Sequence, residues 1–128
     1  MKPSVIIIDD YNEVTDTFSE YLSLSSIDVL AIGHNGNDAV ELYKVHKPDV
    51  VLLDYMMPKF NGFYALRNIH KINPDAKVIF LTASLRPDLP QQLKDAGADA
   101  VLTKPINMNN LVGLIKTMQL GGVTQVSN

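Results

Sequence analysis

The chain has 128 residues, enough for one domain with its own core. Hydrophobic residues make up 46% and charged residues 20%, a globular rather than disordered composition, and a net charge of -3 with no basic stripe argues against nucleic-acid binding. Cysteine is absent, which excludes a disulfide framework and a thiolate zinc site, and no apolar run approaches the ~20 residues that cross a bilayer.

Strand-like and helix-like patterns alternate along the chain. Met1-Lys2-Pro3-Ser4 leads straight into a first strand over 4–8, with no apolar leader segment, which fits a cytoplasmic protein. Asn12 is the predicted cap of a first helix whose apolar face is Val14, Phe18, Tyr21 and Leu22. A second strand is predicted over 28–33. His34-Asn35-Gly36-Asn37 then reads as a turn, with Asn37 as the cap of a second helix that buries Ala39, Val40, Leu42, Tyr43 and Val45. Pro48 stops that helix, and Val50-Val51-Leu52-Leu53 forms a third strand, apolar enough to be buried on both faces.

A third helix is predicted from Gly62, using Phe63, Leu66 and Ile69 and ending at Asn73-Pro74. The fourth strand runs over 77–81 into Thr82. Pro87 and Pro90 delay the fourth helix to about 88–90, because proline is tolerated in a first turn and breaks an interior; Gly97 stops it. A fifth strand over 100–102 and a last helix carrying Leu111, Leu114, Ile115 and Met118 complete the domain, taken as 1–120, with 121–128 as a flexible tail. Five βα units in this length give a doubly wound α/β sheet with helices on both faces; periodicity leaves the strand order open.

The chemistry collects at strand ends. Asp9-Asp10 follows the first strand, Asp54 the third and Thr82 the fourth, and Lys104-Pro105 lies just past the fifth. In an open α/β sheet those ends converge on one crevice. Crowded carboxylates resist ionisation unless a cation neutralises them, and oxygen donors without His or Cys favour a hard cation such as Mg2+, with Mn2+ as a substitute. Lys104 is a mobile point charge and Thr82 a small hydroxyl donor. Together they suit a phosphoryl group, with Asp54 as the nucleophile forming an acyl phosphate. His34, His46 and His70 share no spacing and are read as surface residues rather than ligands. Met57 is read as core, and Tyr11 and Tyr55 as flanking the pocket.

The ordered set Asp9-Asp10, Asp54, Met56-Met57-Pro58, Gly62, Thr82-Ala83 and Lys104-Pro105 resembles the receiver domain of two-component response regulators over residues 4–118. The resemblance implies a flavodoxin-like sheet of order 2-1-3-4-5. It implies that Asp54 accepts a phosphoryl group from a histidine kinase or a histidine phosphotransfer protein. Asp10 and Asp54 would ligate Mg2+ directly, Asp9 through water, and the Met56 backbone carbonyl would complete the metal site. Thr82 and Lys104 would bind phosphoryl oxygens, and the Lys104-Pro105 bond would be cis.

Two departures accompany the resemblance: Val101, and the Pro87 and Pro90 that shorten the fourth helix. Val101 stands three residues before Lys104, where the family usually has Tyr or Phe, so the signal is expected to travel through the backbone around Thr82-Ala83-Ser84. The side chains two positions after Asp54 and Thr82, which tune hydrolysis in the family, are Met56 and Ser84 here. The reading is therefore a stand-alone, CheY-like receiver rather than an enzyme. It would signal by binding a target protein, as in chemotaxis, or by passing the phosphoryl group onward, and would be a monomer or weak dimer without nucleic-acid or membrane contacts. A constitutive protein-binding module on the same fold is the alternative. A phosphatase-like enzyme would need a cap domain for which the chain has no insertion.

Overall fold

The computed structural model describes residues 2–120 and the backbone of 126–127. The expected strands and helices are β1 (Ser4–Ile8), α1 (Asn12–Leu24), β2 (Asp28–Gly33), α2 (Gly36–His46), β3 (Val50–Asp54), α3 (Gly62–Ile72), β4 (Lys77–Thr82), α4 (Leu89–Asp95), β5 (Ala100–Thr103) and α5 (Met108–Gln119). All strand pairings are parallel, and the order is 2-1-3-4-5 as expected. A sixth strand, β6 (Val126–Ser127), extends the sheet by pairing with Ala100 and Val101. Two residues of the expected flexible tail therefore pair with the sheet edge; 121–125 and 128 lie outside the described residues.

Every residue of β3 is buried, as its unbroken apolar run requires. Alternation along the strands separates two apolar layers. Ile6, Ile8, Val51, Leu53, Val78 and Phe80 pack under α2, α3 and α4. Val5, Ile7, Leu52, Ile79 and Leu81 pack under α1 and α5. At the other edge the β1–β2 register shifts between Val5 and Ile6 and leaves Leu30 unpaired, a bulge of the kind that discourages further strands from adding there.

The helix starts depart from the sequence reading in two places. Tyr11, not Asn12, occupies the cap position of α1, with extended backbone and no side-chain cap bond among the described residues. Asn35, not Asn37, caps α2: its Oδ1 accepts from Asp38 N–H at 2.8 Å. Gly36 can then open the helix against the backbone of Phe60 and Asn61, an approach that a side chain would block. Val45 is 75% exposed rather than buried, because it points about 200° around the helix from Tyr43. Tyr21 is likewise only partly covered and donates its hydroxyl to Asn109 Oδ1 at 2.6 Å.

α4 begins at Leu89 with Pro90 in its first turn, as the prolines predict, and Gly97 follows it at φ 114. Asn61 caps α3 by accepting from Tyr64 N–H at 3.2 Å. Asn61→Ala leaves that donor without its cap and should cost about 1 kcal/mol, read as a lower urea midpoint at unchanged slope.

Candidate functional site

Three parallel strands deliver carboxylates to one end of the sheet. β1 pairs with β3, so Asp9 and Asp10 emerge beside Asp54. The carboxylate oxygens of Asp9, Asp10 and Asp54 lie within 4.8 Å of one another. Asp9 and Asp54 are buried and Asp10 half-buried. β4 places Thr82 on the other flank of Asp54, also buried. Lys104 N–H donates to the Thr82 carbonyl at 2.7 Å, which locks the β5–α5 loop against the end of β4. The Lys104-Pro105 bond is cis, as the resemblance implied. The structure thus brings together Asp9, Asp10, Asp54 and Lys104, and places Thr82 at the end of the strand beside Asp54.

Lys104 Nζ donates to Asp9 Oδ2 at 2.9 Å and lies 3.8 Å from Asp54 Oδ1. Asp9 Oδ1 accepts from Tyr11 N–H at 3.0 Å, and Asp54 Oδ1 accepts from Met56 N–H at 3.4 Å. Burial pushes the Asp54 carboxyl up to about 6; Lys104 and the Met56 N–H oppose this, while Asp9 and Asp10 add to it. Asp54 is therefore a carboxylate whose charge is poorly compensated by the protein. Asp10 Oδ1 is buried and has no hydrogen-bond partner among the described residues. A cluster of oxygen donors, one of them unpaired, fits a hard divalent cation and does not suit a soft one.

Met57 is buried in the core, as expected, while Met56 is 59% exposed at the rim. Tyr55 and Tyr11 flank the pocket. Tyr55 packs edge-on against Phe63 and Phe80, and Tyr11 is largely exposed. Two of the three histidines depart from the surface reading. His46 and His70 are half-buried, and His70 Nε2 lies 3.1 Å from the Ala76 carbonyl. His34 is exposed, yet its Nδ1 lies 3.1 Å from the carbonyl of Asp9. No spacing in the sequence signals that contact, because it joins the β2–α2 turn to the end of β1. None of the three belongs to the acidic cluster.

A doubly wound parallel sheet whose strand ends hold three carboxylates, a hydroxyl and an ammonium defines an α/β domain with one polar site at the carboxyl ends of its strands. The model of the response regulator receiver domain matches residues 5–116, and the chain belongs to that family. It is 33% identical over 112 residues to the chemotaxis protein CheY of Thermotoga maritima, covering 88% of this chain and 93% of that protein. It is 32% identical over 122 residues to the transcriptional regulatory protein DegU of Brevibacillus brevis, covering 94% of this chain. The chain spans about half the length of DegU (52%), so that relative has a further part with no counterpart in the match.

Among solved structures, the receiver domain of the putative response regulator NarL from Mycobacterium tuberculosis superposes with a TM-score of 0.87 at 30% identity. The match covers 94% of this chain and 98% of that one. The CheX-CheY-BeF3-Mg2+ complex from Borrelia burgdorferi gives 0.83 at 26% identity over 89% of this chain and 87% of that one. The fold and family are those of a two-component signalling module. Among the described residues no helix is long and apolar enough to cross a membrane.

Proposed function

We propose that this chain is a phosphorylation-dependent receiver that takes a phosphoryl group on Asp54 from a histidine kinase or a histidine phosphotransfer protein. The observation that carries the reading is the convergence of Asp9, Asp10 and Asp54 beside Lys104, with one buried oxygen of Asp10 left unpaired. An Asp54 carboxylate oxygen would form the bond to phosphorus as the bond to the donor imidazole nitrogen breaks; the donor ring, protonated on its other nitrogen, keeps the electron pair and leaves as neutral imidazole. The Thr82 hydroxyl and the Lys104 ammonium would bind the equatorial phosphoryl oxygens, and Lys104 would exchange its bond to Asp9 for one to the new group. Asp10, Asp54 and the Met56 carbonyl would hold Mg2+ directly and Asp9 through water. The cation would neutralise charge that the carboxylates and the incoming phosphoryl group share.

The phosphoryl group adds roughly -1.5 to -2 charge and biases a two-state equilibrium of the fold. Output would follow by binding a target protein, as in chemotaxis, or by transfer to a second histidine protein, in the cytoplasm and as a monomer or weak dimer. The receiver unit is taken as residues 1–120. Val101 favours one second reading, a constitutive binding module, since a buried valine in β5 provides no ring to reorient.

Intact-mass analysis after exposure to a small acyl phosphate separates the two readings. The expected result is a mass gain of one phosphoryl group that requires Mg2+ and is absent from Asp54→Asn. No adduct on the unsubstituted chain, at times short enough to precede hydrolysis, would favour the constitutive module.

A further inference from the structure

A string of polar contacts leads from the site to α4, and beyond Thr82 no part of the proposed chemistry uses it. Thr82 Oγ1 accepts from Ser84 N–H at 3.0 Å, and Ser84 Oγ accepts from Arg86 N–H at 3.3 Å. The Arg86 side chain then turns toward the helix. Its Nε and Nη2 approach the two carboxylate oxygens of Asp88 at 3.4 and 3.2 Å, and Nη2 also donates to Gln92 Oε1 at 3.1 Å. Gln92 Nε2 donates back to Asp88 Oδ2 at 2.9 Å.

α4 is the shortest helix among the described residues. It has seven residues, of which Leu89 and Leu93 are buried. Pro90 in its first turn offers no N–H. The Asp88 side chain occupies the cap position but makes no cap bond among the described residues, because Arg86 and Gln92 hold its carboxylate. A helix with two buried anchors belongs to the less stable part of a fold and can shift at small cost. On the β5 side, Val101 is buried and has neither donor nor acceptor in its side chain.

We propose that Arg86 is a positioning residue that couples the state of Asp54 to the placement of α4, by stapling the Ser84 turn to Asp88 and Gln92. This rests on the proposed phosphorylation of Asp54. The Thr82 hydroxyl proton is free to donate to a phosphoryl oxygen while its oxygen accepts from Ser84. Turning that hydroxyl toward the phosphoryl group moves the acceptor of the Ser84 bond, and the Ser84 and Arg86 bonds follow in series. Lysine cannot replace the planar fork that grips both Asp88 oxygens.

Hydrogen exchange of the whole chain, with and without a small acyl phosphate and Mg2+, tests the coupling, with phosphoryl occupancy read by intact mass on the same samples. In the unsubstituted chain, phosphorylation should change exchange over 89–95 by about threefold or more. Arg86→Ala should be phosphorylated to the same extent and lose that response, and it should exchange faster over 89–95 before phosphorylation. Arg86→Lys should keep part of the response. A full response in Arg86→Ala, or none in the unsubstituted chain once phosphorylated, overturns the coupling while leaving the function intact. An unsubstituted chain that takes no phosphoryl group removes the function and the coupling together.

Discussion

Asp54→Asn should make the metal-free protein more stable at pH 8, even though it removes the proposed phosphoacceptor. The Asp54 carboxyl is raised from 3.8 to about 6, chiefly by burial, so the folded state holds its proton more tightly than the unfolded chain does. The resulting stability is fully present below the unfolded value and is lost as pH rises through about 6. A displacement of this size corresponds to about 3 kcal/mol at most, and solvent at the pocket mouth screens it to about 1–2 kcal/mol. Asparagine does not titrate. The advantage of the variant should therefore be near zero at pH 3.5, grow between pH 4 and 7 and level off above. Urea unfolding in a chelating buffer across this range measures it, and a variant no more stable than the parent at pH 8 would contradict the account. Added Mg2+ should stabilise the parent more than the variant, because the variant lacks one of the three carboxylates.

Gly36→Ala should be among the most damaging single-methyl additions in the chain. A Cβ at this position would lie 1.9 Å from the Phe60 carbonyl oxygen, 2.7 Å from its carbon and 2.9 Å from the Asn61 carbonyl oxygen. All three are backbone atoms, so no side chain can rotate away. Phe60 already has a left-handed backbone at φ 45, which limits how the loop can yield. We expect a loss of about 3 kcal/mol or more. The displaced loop begins at Tyr55, beside Asp54, and carries the Met56 carbonyl, so Mg2+-dependent phosphorylation of the folded fraction should slow as well. Gly113→Ala is the matched control. Its Cβ would meet nothing within 4 Å, it lies inside α5, and it should stabilise by about 0.5–1 kcal/mol. Equal effects of the two substitutions in urea unfolding would show that packing at Gly36 is not the cause.

The acidic site was legible because its signals are local. An apolar run followed by Asp is visible at Ile8-Asp9 and Leu53-Asp54, and a parallel sheet brings such ends to one edge whatever the strand order. Helix starts were less legible. Asn12 and Asn37 have the right chemistry for caps, yet Tyr11 and Asn35 take those positions. For α2 the choice is set from outside, because only Gly36 lets the first turn approach Phe60. His34 reaching Asp9 was likewise invisible, since the contact joins loops that neighbour only after the sheet forms.

The amino-acid sequence by itself determined the βα alternation, the buried third strand, the late start of α4 and the identity of the residues in the acidic pocket. These follow from side-chain period, proline geometry and residue chemistry within a few positions of each other. The tertiary structure alone decided that Lys104 rests on Asp9 rather than Asp54, that Asp10 keeps an unpaired oxygen, that Val126–Ser127 pair with β5, and that Arg86 ties the site to α4. Each depends on distances between segments far apart in the chain, and those distances exist only after the sheet has closed around its two apolar layers.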